Sequence, residues 1–589
     1  MKKKTSALLI LFSFAVLLIG CGGGGSSTPP PTPTPTPAPQ QLTVSPNSAT
    51  VPVGGSKAFS VTNTTAPITW SVSGPGTISS SGVYLAPSTF PSPNAVTVTA
   101  TSGSQTGTAS LSVVFPNDNA GVQAIPIKLG TSGGNILDNS TDGKSCCIGT
   151  LGSLWIRGGL RFILSNNHVL ARSTQGKAGE NIDQPGQPGC PSLQGTNVAN
   201  LTEQASLKPT AGTAPGPCRG STAPVCGLAP SNVDAAIAQV VPTTVDTSGT
   251  ILDLGPAGAS SIAAAPPSST IADPATVVAN NEQVAKSGRT TGLTCSTLQA
   301  ALVDGVRVDY DQSCGGAVAF ASVFNGQVVV NGGTFSAGGD SGSLIVTADT
   351  ARPVALLFAG NDIGTVGNPL GDVIKAFTQP GPPAVPPTIV GGADHPVSCE
   401  PTDQAQSTRI GAQATVVSAT QQQKAENVRA HQAIALMSSE QAIRSVKVGA
   451  SSDSPGESAL VIELNSLPKN RIPAVINGVR TKVVYAQGVA APAMSVQEFQ
   501  RGAGVKSAHV NELLQPGIQG VGIGRSDDSP GEAAIVVYTI KGQPHQAIPA
   551  VVDGVRTKII EGEPFRSHWN SQLEQPIGAC PKIRAAEKK

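Results

Sequence analysis

Between residues 42 and 378 the apolar residues come in short runs cut by Gly, Pro, Ser and Thr, and no helical period links them. That pattern fits a fold built from short strands better than a βαβ repeat. From Leu42 to Val114 the runs are LTVSP, ATVPVG, KAFSV, ITWSV, VYLAP, AVTVTA and TASLSV. Apolar residues there alternate with Thr and Ser, as in a β-sandwich, with Trp70 expected in its core. The segment has no cysteine, so packing alone must hold it. From Phe115 to Thr378 the runs include LRFILSNNHVLA, NVDAAIAQVV, GQVVVNGG, SGSLIV and PVALLFAG, spaced by long loops, which fits a two-barrel β-protein. Only 12% of residues are charged, about half the usual ~25%. With 67 Gly and 49 Pro this composition suits a secreted, strand-rich chain. A net charge of +1 gives no reason to expect a nucleic-acid partner.

The N-terminus agrees with export. MKKKTSALLILFSFAVLLIGC has three lysines, an apolar run from Ala7 to Ile19 and then Cys21. The run is too short for a permanent span and has the layout of a secretory signal. Leu18-Ile19-Gly20-Cys21 resembles the lipobox of bacterial lipoproteins, which implies cleavage before Cys21 and a lipid anchor on its sulfur. An ordinary signal peptide or an uncleaved anchor is the competing reading. The expected location is the cell envelope, periplasmic or at the cell surface, with the membrane reached through the N-terminal lipid. Residues 22–41, rich in Thr-Pro, read as an extended spacer.

In an oxidising compartment the remaining nine cysteines, Cys146, Cys147, Cys190, Cys218, Cys226, Cys295, Cys314, Cys399 and Cys580, are disulfide candidates. Their odd number leaves one thiol free or paired between chains. The pairings expected are Cys295–Cys314 and one bridge among Cys190, Cys218 and Cys226. No spacing fits a zinc site, so neither metal nor cofactor is expected.

Residues 379–420 read as a linker that begins Pro-rich, and a helix is expected over Gln421–Arg444 with Val428, Ile434, Ala435, Met437 and Ile443 near one face. The sequence then repeats itself. SVKVGASSDSPGESALVIEL with RIPAVINGVRTKVV is matched by GVGIGRSDDSPGEAAIVVYT with AIPAVVDGVRTKII. Ser454-Pro455 recurs as Ser529-Pro530 and Gly478 as Gly554, so one residue has been inserted. This predicts two small α+β repeats, 421–492 and 493–565, followed by a tail, 566–589. The shared Arg480/Arg556 and Glu457/Glu532 are read as fold-determining charges rather than as a site.

The chemistry points elsewhere, to GGTFSAGGDSGSLIV at Gly332–Val346. Clustered glycines imply a backbone held in a shape that other residues resist. A serine nucleophile needs a base within hydrogen-bond reach, a carboxylate to orient that base, and backbone N–H donors for the developing oxyanion. Of six histidines only His168 precedes Ser341, and it directly follows an apolar strand. Asp234, in SNVDAAIAQVV, sits among small and apolar residues, where a carboxylate needs a donor. Asp183, Asp246, Asp253, Asp273, Asp304, Asp309 and Asp311 also lie between His168 and Ser341, mostly in polar, loop-like stretches. Asp340 is read as a prop for the loop before the serine.

NNHVLA, VDAAIA and GGDSGS, in the order His, Asp, Ser, resemble the trypsin-like (chymotrypsin-fold) serine peptidases over roughly Ala120–Thr378. LLFAGN resembles the strand lining that family's substrate cleft, and PLGDVIKAF its closing helix. KSGRTTGLT and the tail repeats resemble a bacterial subgroup akin to the plant narrow-leaf proteins. The first 73 residues of the folded part, 42–114, resemble bacterial immunoglobulin-like domains, read as a spacer. The resemblance implies His168 as general base and acid, Asp234 as its orienter, Ser341 as nucleophile, and Gly339 and Ser341 as oxyanion-hole donors. It places Phe335, Ala359 and Gly360 at the substrate cleft.

Three departures stand out. Val169, not cysteine, follows the histidine. Phe335 stands where a trypsin-like specificity would need an acid, so a hydrophobic or restricted pocket is expected. Ile389-Val390-Gly391-Gly392 looks like an activating N-terminus but follows the serine, and it is read as coincidence in the linker. The reading is then an exported, lipid-anchored serine endopeptidase with a polypeptide substrate. The alternative is a non-catalytic binding or adhesion module with a degenerate peptidase fold. A third reading has the tail repeats touching the peptidase domain, as inhibitor or as a segment cleaved in cis.

Overall fold

The computed structural model describes residues 42–52, 55–64, 66–87, 91, 95–114, 119–138, 148–186, 195–207, 233–256, 262–311, 318–399 and 417–567. The signal and lipid-anchor segment with Cys21, the spacer 22–41, and seven of the cysteine candidates lie outside the described residues, as do residues 568–589 of the tail. The protein is mainly β, 44% strand against 13% helix, as its short apolar runs require. Among the described residues no helix is long and apolar enough to cross a membrane.

Residues 42–114 form a β-sandwich. One sheet runs in the order Ser48–Pro52, Gln105–Val114, Ala95–Ser102, Thr69–Ser73, and another Ser56–Ala58, Val83–Leu85, Thr77–Ile78. Alternate residues of Ala95–Ser102 point into a core with Val44, Val51, Phe59 and Leu111. Tyr84 takes the centre of that core, its hydroxyl satisfied by the Pro75 carbonyl at 2.7 Å. Trp70 is only half-buried and packs at the core's margin, against Gly82.

Two barrels follow. The first sheet runs Gly149–Leu151, Thr131–Asn135, Asn181–Gln184, Thr196–Gln204, Ala236–Val240, Leu160–Ser165, Ser153–Arg157, Thr388–Ile389. Its first and seventh strands are continuous in the chain, which curls the sheet on itself. The second barrel closes as a ring: Gln283–Gly288, Gly292–Asp304, Gln327–Asn331, Gly364–Pro369, Pro353–Gly360 and Leu344–Thr347, which returns to Gln283–Gly288. Closure removes the unpaired edges that a strand-rich chain must otherwise protect. A hairpin, Val306–Asp311 with Val318–Phe324, extends from the second barrel. The helix Leu370–Phe377 turns Leu370, Val373 and Phe377 into the first barrel's core.

The segment 379–399 is not the free linker expected. Thr388–Ile389 pairs with Trp155 and Ile156, Gly392 exchanges backbone hydrogen bonds with Pro267 and Ser269, and Cys399 is bonded to Cys295. Ile389 and Val390 are apolar enough to pack on the first barrel, and Gly391 lets its backbone press against that of Pro267 and Ser268. So IVGG is part of the barrel structure rather than a coincidence. The Cys295–Cys399 bond also replaces the expected Cys295–Cys314 pair. Cys190, Cys218 and Cys226 are outside the described residues.

Each repeat is a helix followed by a small sheet. The first has Ala419–Ser439, Ile443–Ala450, Ser458–Leu464, Val475–Ile476 and Val479–Tyr485; the second has Val496–Leu513, Ile518–Arg525, Ala533–Ile540, Val551–Val552 and Val555–Gly562. The first helix ends before Ile443, which instead begins a strand, and it buries Ala425 while Ile434 is exposed. Its inward face is built from Ala425, Val428 and Leu436, so Ile434 and Met437 do not share the expected stripe. The second repeat is fused to the second barrel: Gly524 pairs with Ala300, Ile523 with Ala301 and Val521 with Asp304. Lys506 reinforces that junction, donating to the Leu302 carbonyl at 2.7 Å and to Asp304.

Candidate active site

The site lies where the two barrels meet. Strand Leu160–Ser165 pairs antiparallel with Ala236–Val240, Ser165 opposite Ala236. Just past these paired ends, the chain leaving one strand and the chain entering the other lie side by side. The first carries His168 on a one-turn helix, Asn167–Leu170, and the second carries Asp234. Asn166 locks them, donating to the Asp234 carbonyl at 2.7 Å. His168 donates its backbone N–H to Asp234 Oδ1 at 3.2 Å, and its Nδ1 lies 2.6 Å from Oδ2. Both side chains are fully buried. A carboxylate in such a place fixes the imidazole's orientation and favours the tautomer with the proton on Nδ1.

Two further residues complete the Asp234 pocket, and the sequence motifs did not disclose them. Tyr310 Oη donates to Asp234 Oδ2 at 2.7 Å. It comes from the inserted hairpin, stacked on Phe320 with ring centroids 5.1 Å apart. Burial first, then the Asp234 charge and its hydrogen bond, push the Tyr310 hydroxyl's pKa well up, so it stays a donor. Asn368, at the end of the second barrel's last strand, accepts the Asp234 N–H at 3.2 Å and donates to its carbonyl at 3.2 Å. No motif surrounds either residue; only the alternation of VRVDYD could have marked Tyr310 as inward-facing.

Ser341 sits on the loop between Gln327–Asn331 and Leu344–Thr347. Gly339 and Gly342 flank it with φ of +98° and +96°, the left-handed region. A Cβ on Gly342 would strike Ser165 and the Thr150 carbonyl, so the loop can reach the first barrel only with glycine there. The first barrel in turn grips the loop: Thr150 N–H donates to the Ser341 carbonyl at 2.8 Å, and Thr150 Oγ1 to the Gly339 carbonyl at 2.9 Å. Gly149 lies against both Val169, next to His168, and the Ser341 carbonyl. The glycine cluster thus serves a close approach between barrels.

Asp340 is buried and saturated. Its carboxylate accepts from the backbone N–H of Thr290, Thr291 and Ala337 at 2.8, 3.1 and 2.9 Å, and from Thr291 Oγ1 at 2.7 Å. Lys286 Nζ stands 3.5 Å away, also buried. The KSGRTTGLT turn therefore holds the loop that carries Ser341.

The expected cleft residues are divided. Phe335 packs in the second barrel's core with Lys286 Nζ 5.9 Å over its ring. Ala359 and Gly360 end the strand Pro353–Gly360, and Gly360 pairs with Arg566 of the tail. The Ser341 hydroxyl donates to the Ser567 carbonyl at 3.1 Å. The chain's own residues 565–567, where the tail expected from 566 onward begins as a strand, thus lie against Gly360 and Ser341.

A closed six-stranded barrel thus lies beside a second, curled β-sheet, with a buried His–Asp pair and a glycine-framed serine at their junction. No family model and no curated protein matches the chain. Solved structures do. One, described as a glutamic acid specific serine protease that utilizes a novel histidine triad in substrate binding, is 16% identical, with 44% of this chain and 100% of that chain covered and a TM-score of 0.26. Thermobifida fusca Protease A is 14% identical over 45% of this chain and 99% of its own, with a TM-score of 0.26. Cellulomonas bogoriensis chymotrypsin is 14% identical over 39% of this chain and 87% of its own, with a TM-score of 0.22.

Proposed function

We propose that this chain is a serine endopeptidase, exported and held at the cell envelope by a lipid on Cys21. The observation that carries the catalytic part is the buried His168–Asp234 pair, Nδ1 to Oδ2 2.6 Å, at the junction gripped by the Ser341 loop. In this reading Ser341 Oγ attacks the scissile carbonyl carbon as His168 takes its proton. His168 returns that proton to the leaving amine, Asp234 stabilises the imidazolium, and water hydrolyses the acyl-enzyme. The N–H groups of Gly339 and Ser341 hold the oxyanion, and Gly360 offers its backbone to an extended substrate. The β-sandwich and the Thr/Pro segment serve as spacers between membrane and catalytic unit. The anchor, the immunoglobulin-like character of the sandwich and the kinship with narrow-leaf proteins rest on sequence resemblance.

The test is covalent labelling by a fluorophosphonate, with peptide-ester hydrolysis in parallel. Ser341→Ala is expected to abolish both while leaving the melting temperature unchanged. Equal labelling of wild type and Ser341→Ala would assign the nucleophile elsewhere. Unchanged membrane partition and palmitate incorporation in Cys21→Ala would remove the anchor.

A further inference from the structure

The segment after the second repeat runs into the cleft as an extended strand with partners on both sides. Phe565–Arg566 lies parallel to Val306–Asp311, with Val308 opposite Phe565 and Asp309 opposite Arg566. On its other side it is antiparallel to Pro353–Gly360, with Arg566 opposite Gly360. Upstream, Asn361 donates to the Glu563 carbonyl at 2.6 Å, Asp362 accepts the Glu563 N–H at 2.8 Å, and Gln519 accepts the Phe565 N–H at 3.2 Å. The Phe565 ring is buried with Val308, Phe358 and Tyr538. Ser567 then donates its N–H to the Asp309 carbonyl at 3.2 Å.

Strand addition beside the nucleophile is how an extended peptide presents a bond for cleavage: main-chain pairing fixes its register, and one carbonyl arrives at the reacting group. Here that carbonyl is the one of Ser567, whose oxygen accepts from Ser341 Oγ at 3.1 Å. By sequence the bond it belongs to is Ser567–His568.

We infer that Ser567–His568 is an intramolecular substrate of this chain's own site; the inference rests on the peptidase reading above. Ser341 Oγ bonds to the Ser567 carbonyl carbon and its proton passes to His168. The bond to the His568 nitrogen breaks as His168 hands that proton over, and residues 568–589 leave with a free amine. Water then attacks the Ser341–Ser567 ester. His168 takes the water's proton and restores it to Ser341, and Ser567 becomes a carboxylate. Covalent tethering and a docked strand replace the entropy loss of a bimolecular encounter. Phe565 and Glu563 keep their anchors after cleavage, so the new C-terminus stays in the cleft.

The test is intact-mass spectrometry of the purified full chain over time, beside fluorophosphonate labelling of the same samples. Wild type is expected to lose residues 568–589 at a rate unchanged by about tenfold dilution. Ser341→Ala is expected to retain them, and so is His568→Pro, whose bond lacks the N–H and the freedom that cleavage needs. Wild type that labels yet keeps residues 568–589 overturns the inference and leaves the peptidase reading standing. Loss that is equally fast in Ser341→Ala, or that scales with concentration, overturns it as well. Wild type that neither labels nor shortens removes both together.

Discussion

Asp234 Oδ2 is shared: Tyr310 Oη donates to it at 2.7 Å and His168 Nδ1 meets it at 2.6 Å. The phenol draws on the same negative charge that would steady an imidazolium. Removing it also takes away one of the two groups that hold that oxygen in place. A hydrogen bond to a charged group is worth about 1.5–3 kcal/mol, and without it the carboxylate is held less firmly against the imidazole, so Tyr310→Phe is expected to lower kcat about tenfold. A merely structural role for Tyr310 would lower the melting temperature and leave kcat where it was.

The carboxylates between His168 and Ser341 can be told apart by substitution. Asp234→Asn keeps the shape but favours the wrong imidazole tautomer, a change that costs about 10⁴ in turnover in the trypsin-like template. Asp273 caps the helix Pro274–Asn280 through the Ala275 N–H, and Asp246 holds a turn through Ser248. Asp273→Asn and Asp246→Asn are therefore expected to leave turnover within about twofold, since Asn replaces Asp at caps and turns at little cost. Peptide-ester turnover for the three variants checks this. A collapse in Asp246→Asn or Asp273→Asn with Asp234→Asn intact would move the orienting role.

How far these relationships could be read from sequence depended on their range. VDAAIA marked a carboxylate in need of a donor, because burial among small apolar residues is a local property. The glycines around Ser341 announced an unusual backbone for the same reason. Tyr310 was hidden, since it reaches Asp234 from an inserted hairpin whose alternation looks like any strand's. Cys295–Cys399 spans 104 residues and no spacing rule predicts it. The cleft-filling strand is two residues long, too short for a periodic signal, and its place is set by anchors at Gln519, Asn361 and Asp362.

The repeats clasp each other through the residues they share. Arg480 pairs with Glu457 at 2.7 Å and donates to the Thr557 carbonyl of the other repeat at 2.8 Å. Arg556 pairs with Glu532 at 2.9 Å and returns the bond to the Thr481 carbonyl at 2.7 Å. Both arginines are buried at the junction of the two repeats. Arg556→Met leaves Glu532 and the Thr481 carbonyl without their donor and is expected to cost about 3 kcal/mol. Denaturant unfolding measures it, and a change below about 1 kcal/mol would mean the clasp adds little to the junction.

Asp138 gives the fold a pH dependence. Burial raises its pKa to about 7, against the pull of Arg172 and His168 and with a small push from Glu180. In the unfolded chain it titrates near 3.9, so the folded chain holds the proton more tightly. Its contribution is fully present below about pH 4 and is lost as pH rises toward about 7. Asp138→Asn cannot ionise and is expected to flatten that fall. Melting temperatures near pH 5 and near pH 8 decide it: equal drops in both chains would place the dependence on another group.

The strand that fills the cleft also sets how often the site is open. For a probe to reach Ser341, residues 565–567 must leave their place between Val306–Asp311 and Pro353–Gly360, and the Phe565 ring must leave its buried cluster. Replacing a buried Phe by Ala costs about 3–5 kcal/mol. In Phe565→Ala that loss falls on the docked strand, because the detached strand has no cluster to lose. A shift of about 3 kcal/mol raises the open population about a hundredfold. Fluorophosphonate labelling of full-length Phe565→Ala is therefore expected to be faster than wild type by up to that factor, with the barrels' melting transition retained. The same strand pairs with Val308 and so supports the hairpin that carries Tyr310. If labelling slows, the strand's support of the His168–Asp234–Tyr310 network outweighs its obstruction of Ser341; if the rate is unchanged, something other than residues 565–567 controls access.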